Sequence, residues 1–398
     1  MAIAAVPDYL GKDFSQASPG LRFGMFLPVW EPGFAAKTKD KTDAWKSIKC
    51  LTPGDLKLMA ALGQRQADLA APLATNGRLL ALDALAVAPF TTGLGHAHPM
   101  ENGFAFLNPY GLPYLPGSGV KGVLRQAARE LAGPDWGEDG GWTKTDIEAL
   151  FGRAGRDGET DLQRGALMFW DVIPQIEGDA LQVEVMTPHQ SHYHQNGATP
   201  HESGQPIPIN FLTVPPQSKF VFHVQCDLPF LERLAPALAR DGQWQRLISA
   251  AATHAFQWLG FGAKTAVGYG AMQEDPAARL QREQRAAARR QAEVDAARQR
   301  ERAAMSDEQR EAMDAAEWMA GFRALLSDEQ DRKTYKPGSS FDQRRAAVLA
   351  LALALSAPAA RHGAARLLRE SYKFTGWPGH KERKSQVRDM LTRLDGQA

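Results

Sequence analysis

Two glycine-rich, lysine-bearing segments carry the chemistry most visible in this chain: Gly111–Arg125 (GLPYLPGSGVKGVLR) and Gly260–Gly270 (GFGAKTAVGYG). Each sets a basic side chain among residues with little or no side chain. Backbone amides and an ammonium can then reach one anion together, which suits a phosphate backbone held without reading its bases. In the first segment Pro116 fixes the entry and Gly117 and Gly119 permit a tight approach. Ser118 is expected to cap the following helix, and Lys121 and Arg125 stand i, i+4 near its start, where the macrodipole attracts anions. In the second, glycines surround Lys264 and Thr265 at a density that a buried strand does not need, so close approach of another chain is expected there. Tyr269 reads as a packing residue rather than a base-stacking one.

Spacing excludes the common nucleotide loops. Neither segment holds the Gly-Lys-Ser/Thr triplet of a Walker A loop, and Thr265 stands where G-x-G-x-x-G requires its third glycine. A polar loop offers His189, His192, His194, His201 and Glu202, able in principle to do acid–base work on RNA. The His189-x-x-His192-x-His194 spacing is not the i, i+4 pair of a helical zinc site, and no cysteine assists it. Solvation or phosphate contact is the ordinary role of such histidines; a metal-independent endoribonuclease is the alternative. Asp171 and Glu184 fall on candidate strands without a partner that spacing can assign.

The elements that must position these residues fall into three regions. Residues 1–78 read as an N-terminal extension ending in a helix from about Pro53 to Leu69. Residues 79–275 read as strands and helices: Leu79–Pro89 and Arg164–Asp171 as strands, Val120–Leu131 as a helix, and the alternating Leu181–Met186 and Lys219–Cys226 as strands. Trp244–Leu259 reads as a helix and Ala266–Met272 as a closing strand. Strand, helix, strands, helix, strand is the order of an α+β, ferredoxin-like (RRM-type) sheet. Residues 276–398 are rich in Ala, Arg, Glu and Gln and read as a helical C-terminal region. Capping boxes are expected at Ser306/Gln309, Ser327/Gln330 and Ser340/Gln343, and the basic run Gln281–Arg302 as a solvated helix.

Composition narrows the class. The formal net charge is +1, so nucleic-acid contact must come from local clustering. Cys50 and Cys226 are far apart, which argues against a disulfide scaffold or a cysteine zinc site. The first residues lack a signal-peptide pattern, and the apolar run Ala346–Leu355 is too short to span a bilayer, so a cytoplasmic protein without cofactor is expected.

Gly111–Arg125, Gly260–Gly270 and Thr91–Gly95 together resemble the repeat-associated mysterious protein (RAMP) superfamily of CRISPR effector complexes. Val185–Tyr193, Pro206–Val214 and Lys219–Val224 make the combination similar to the sixth RAMP subunit of type III-B (Cmr) complexes, over roughly residues 79–275. Gly119 departs from the pattern, which usually has a second serine there. The resemblance implies a non-catalytic, RNA-binding backbone or capping subunit near the 3′ end of the guide RNA, serving antiviral defence against foreign RNA. It implies guide (CRISPR) RNA and target RNA as partners, with a neighbouring backbone RAMP subunit, a small helical subunit and the head-end RAMP subunit. It places Gly117, Ser118, Lys121, Arg125, His189, Gly262, Ala263, Lys264 and Thr265 along the RNA, and makes the loop Pro188–Pro208 a thumb wedged into the guide–target duplex. Target cleavage in such complexes belongs to another subunit.

Overall fold

The protein is described here by a computed structural model covering residues 2–34, 37, 41–133, 141–153, 163–187, 193, 197, 199, 208–332 and 335–396. The chain divides into two units, Met1–Gln284 and Arg285–Ala398.

The first unit is organised by strand β1, Leu79–Ala86, the first residues of the apolar run Leu79–Pro89, which antiparallel pairing turns into a two-faced ribbon. To label the remaining elements in chain order, α1 is Pro19–Phe23, α2 Thr42–Lys49, α3 Pro53–Thr75, β2 Ala97–His98, β3 Glu101–Asn102, β4 Phe106–Leu107 and β5 Leu112–Pro113. Then come α4 Gly117–Leu131, α5 Lys144–Phe151, β6 Leu167–Phe169, β7 Gln182–Met186, β8 Ile209–Thr213 and β9 Lys219–Cys226. The unit continues with α6 Leu228–Leu234, α7 Pro236–Ala239, α8 Gln243–His254, a π-helix Ala255–Leu259, a 3-10 turn Thr265–Val267 and β10 Met272–Glu274.

β10, β1, β9 and β6 lie in that order in one antiparallel sheet. Leu80 faces Val224, Leu82 faces Phe222 and Ala84 faces Phe220. This puts Phe220, Phe222, Val224 and Cys226 on one side, where they are buried. Val120, Leu124, Ala127 and Ala128 of α4, with Trp244, Ile248 and Ala251 of α8, complete that core. The sheet's other side carries Asp83, whose buried carboxylate is met by Arg282 at 2.8 Å. β7 and β8 form a separate hairpin with Met186 opposite Ile209, joined to the end of β1 through the Phe90–Val214 bridge.

Residues before β1 are tied together by Arg22, which is buried. Its guanidinium donates to the carbonyls of Ala17 at 2.8 Å, Cys50 at 2.5 Å and Ser47, and stands 3.9 Å from Asp55. Asp55 also completes a capping box with Thr52 at the start of α3. The expected closing strand is displaced: Thr265–Val267 is a 3-10 turn, and pairing begins at Met272, after the positive-φ residues Gly268 and Gly270. Extended pairing cannot pass through those conformations.

Helix α9, Pro276–Ala304, spans the division between the units and buries none of its residues. In the second unit α10 is Asp307–Arg332, α11 Ser340–Ala354, α12 Pro358–Thr375 and α13 Lys381–Leu394. They share a core of Phe322, Leu326, Phe341, Val348, Leu367, Leu368 and Leu391. The Ser306/Gln309 capping box is present, with both reciprocal bonds made. The other two are not. α10 runs through Ser327, held helical by buried Phe322 and Leu326, so no free N-terminus exists there to cap. At α11 the cap position is Ser339, and Asp342 rather than Gln343 reaches back, accepting from Gly338 N–H at 2.7 Å. Among the described residues no helix is long and apolar enough to cross a membrane.

Candidate nucleic-acid interface

Helix α4 begins against the sheet. A side chain on Gly117 would collide with the Phe169 carbonyl, so only glycine lets the helix approach β6 this closely. Pro116 is the N-cap residue, and the capping oxygen comes from elsewhere: Asp171 Oδ1 accepts the Gly117 N–H at 2.7 Å. Ser118, expected to cap, is instead exposed within the first turn. The Gly119 and Val120 amides donate to the Pro116 carbonyl at 2.8 and 3.1 Å. The expected cradle of free amides is therefore largely filled by the protein itself, including by a carboxylate.

Lys121 is half-buried and makes no hydrogen bond or ion pair among the described residues. Arg125, one turn on, donates from Nη2 to the Gly152 carbonyl at 3.0 Å, at the end of α5. Its Nε is buried without a partner. Burial, and then the neighbouring Arg129, lower its pKa against the opposing pull of Glu148. The i, i+4 spacing put both cations on one helix, but the fold turns Arg125 inward to a carbonyl and leaves Lys121 available.

The second segment is a loop between the π-helix and β10. Two of its glycines, Gly262 and Gly270, serve close approach within this chain. A side chain on Gly262 would collide with the Thr91 carbonyl, and one on Gly270, at φ +70°, with that of Phe261. Ala263 N–H donates to Thr91 O at 2.8 Å, and Thr91 Oγ1 donates to Leu212 O at 2.8 Å. In this way the Thr91–Gly95 stretch fastens the loop to β8.

Lys264 is the strained residue of the loop, with φ 60° and ψ 30°. A left-handed lysine costs on the order of 1 kcal/mol and persists only where its surroundings require it. Its ammonium donates to Met186 Sδ at 3.2 Å and lies 5.4 Å from the centroid of the Phe211 ring. Because Met186 and Ile209 are paired, that ammonium stands where the hairpin opens into residues 188–208. The amides of Gly262 and Lys264 have no hydrogen-bond partner among the described residues. Thr265 is half-buried beside them.

Tyr269 packs its edge on Phe211, with centroids 5.5 Å apart, and donates its hydroxyl to Glu184 Oε2 at 3.4 Å. Burial, then Glu184, raise its pKa. Asp171 and Glu184, for which spacing assigned no partner, thus serve one segment each. Sequence reasoning also passed over Trp258, 67% exposed in the π-helix that leads into the loop. Its signal is the π-helix, a feature often found at functional positions. Among the described residues no hydrogen bond or ion pair joins the α4 segment to the Lys264 loop. Nor does any group of His, Cys, Asp and Glu among them suit a metal ion. His189, His192, His194, His201 and Glu202 lie outside the described residues.

Both segments fall inside residues 84–273, which match the model of the RAMP superfamily. The central region is RAMP-like and similar to Cmr6. The CRISPR system Cmr subunit Cmr6 of Pyrococcus furiosus is 27% identical to this chain, over 46% of the chain and 64% of that relative. The match thus spans just under two thirds of the relative's own length. Similar solved structures include the cryo-EM structure of the type III-B Cmr-beta bound to cognate target RNA, at TM-score 0.40 and 18% identity over 60% of this chain and 77% of the other. The crystal structure of Cmr6 from Pyrococcus furiosus gives TM-score 0.28 and 25% identity over 50% and 98%. Both scores are low, so the RAMP-like assignment stands on the sequence matches.

Proposed function

We propose that this chain is an RNA-binding subunit of a type III-B CRISPR effector complex, holding guide RNA near its 3′ end through Lys264 and Lys121. The observation that carries the reading is Lys264: a strained, half-buried ammonium held over Phe211 at the root of the 188–208 loop, beside the free amides of Gly262 and its own residue. Backbone amides with an ammonium suit a phosphate. The strand order β10-β1-β9-β6, with α4 following β1 and α8 following β9, supports a ferredoxin-like core. Similarity to Cmr6 supports neighbours in a Cmr-type assembly: a backbone RAMP subunit, a small helical subunit and the head-end RAMP subunit.

The subunit binds RNA without cutting it. Lys121→Glu combined with Lys264→Glu should weaken guide-RNA association roughly tenfold or more, without removing it, in filter binding or anisotropy while circular dichroism stays unchanged; undiminished binding refutes the reading. Each single loss of charge lowers the salt slope of binding by roughly 0.7, as expected for a single strand. Cleavage of labelled repeat RNA by the purified chain, abolished by His189→Ala, would instead make it the endoribonuclease.

A further inference from the structure

The second unit carries a concentration of cations that its own carboxylates leave unanswered. Between Lys373 and Arg388 the chain reads KFTGWPGHKERKSQVR, with Lys373, Lys381, Arg383, Lys384 and Arg388 against Glu382 alone. None of these five cations has an ion-pair partner among the described residues. In the Arg-rich helix α9 four of the arginines are answered: Arg279 pairs with Glu283, Arg282 with Asp83, Arg289 with Glu293 and Arg302 with Asp314. Lys381, Lys384 and Arg388 repeat at i, i+3, i+7 on α13, while Val387 and Leu391 turn into the core. Folding alone disfavours this placement, since like charges repel and the first turn of a helix is the unfavourable end for cations.

Aromatic rings sit inside the same patch. Trp377 stacks on Tyr372 with centroids 5.2 Å apart and planes within 10°. The Arg388 guanidinium lies 5.0 Å from the Trp377 centroid, and Arg345 lies 4.0 Å from that of Tyr372 on the inner side of the stack. Arg345 and Tyr372 are buried, whereas Trp377 is half-buried and Arg388 exposed, so the stack runs from the core to the surface. A planar guanidinium on an indole, flanked by flexible ammonium groups, is the arrangement on which nucleic-acid bases stack while phosphates are neutralised alongside. An acidic protein surface needs the charges but makes no use of the ring ladder.

We infer that the connection between α12 and α13 is a second, sequence-tolerant contact for single-stranded RNA, separate from the Lys264 loop. Bases stack on Trp377 and Arg388, and Lys373, Lys381, Arg383 and Lys384 meet the phosphates. The test uses the full chain and a fluorescent oligouridylate. Residual binding by the Lys121→Glu/Lys264→Glu protein should fall roughly tenfold when Lys381→Glu, exposed on α13, and Lys384→Glu, half-buried there, are added. Photocrosslinking with 4-thiouridine should label the peptide that contains Trp377, and Trp377→Ala should remove the label. If the four-substitution protein binds as tightly as its parent, or the parent keeps no RNA binding at all, the inference is overturned. Competition by polyglutamate as effective as that by unlabelled RNA would overturn it too, in favour of an acidic protein partner. Should wild type lose binding through Lys381→Glu/Lys384→Glu but not through Lys121→Glu/Lys264→Glu, this contact stands and the Lys264 reading fails.

Discussion

Asp171 caps the helix that carries Lys121: its Oδ1 accepts the Gly117 N–H at 2.7 Å. The carboxylate stabilises α4 and at the same time holds a negative charge at the position where a phosphate would be drawn by the helix end. Asp171→Ala should lower stability by about 1 kcal/mol in urea unfolding. Asp171→Asn keeps an accepting oxygen without the charge, so it should hold stability within a few tenths of a kcal/mol and tighten RNA binding. Weaker RNA binding by the Asn variant would show that Asp171 does not oppose the ligand.

Glycines in the two segments should separate sharply on substitution. Gly117→Ala must displace the Phe169 carbonyl, and Gly270→Ala adds positive φ to a collision with Phe261. Each should destabilise by about 2–3 kcal/mol. Gly122 is exposed inside α4 with nothing near its missing side chain, so Gly122→Ala should stabilise by about 0.5–1 kcal/mol. Thermal and urea unfolding of the three variants decide this, and equal effects would contradict the packing described.

His223 gives the first unit an acid sensitivity with a defined window. Burial, and then the nearby Arg282, push its pKa from 6.5 down to about 4. Between those values the unfolded chain binds a proton that the folded chain refuses, so stability falls as pH drops through the window. The loss should reach about 2 kcal/mol by pH 5. His98, also lowered by burial although its bond to the Phe23 carbonyl opposes this, acts in the same direction. Urea midpoints at pH 7 and pH 5 should converge substantially in His223→Gln; an unchanged difference would place the sensitivity elsewhere.

Asp83 and Arg282 form the pair that anchors the start of α9 to β1, with the carboxylate 4% exposed and the guanidinium 33%. Removing the arginine strands a buried charge, and Arg282→Ala should cost about 2–3 kcal/mol. Replacing both, as Asp83→Val with Arg282→Met, should cost clearly less than the two single changes together. Strict additivity in that cycle would mean that the pair does not interact.

The amino-acid sequence by itself determined the local elements and the RAMP-like segments. Alternation set Lys219–Cys226 as β9, and apolar positions three and four apart set α4, because strand and helix periods are written into neighbouring residues. Only the tertiary structure decided which groups meet: Asp171 with Gly117, Arg125 with Gly152, Lys264 with Met186 and Phe211, Glu184 with Tyr269. These partners are far apart in the chain, and spacing carries no record of contacts that form when the sheet and hairpin assemble. The same limit explains Ser327, whose capping pattern is local while the packing of Phe322 and Leu326 that overrides it is not. The motifs located the cations; the fold chose which of them remain available to a ligand.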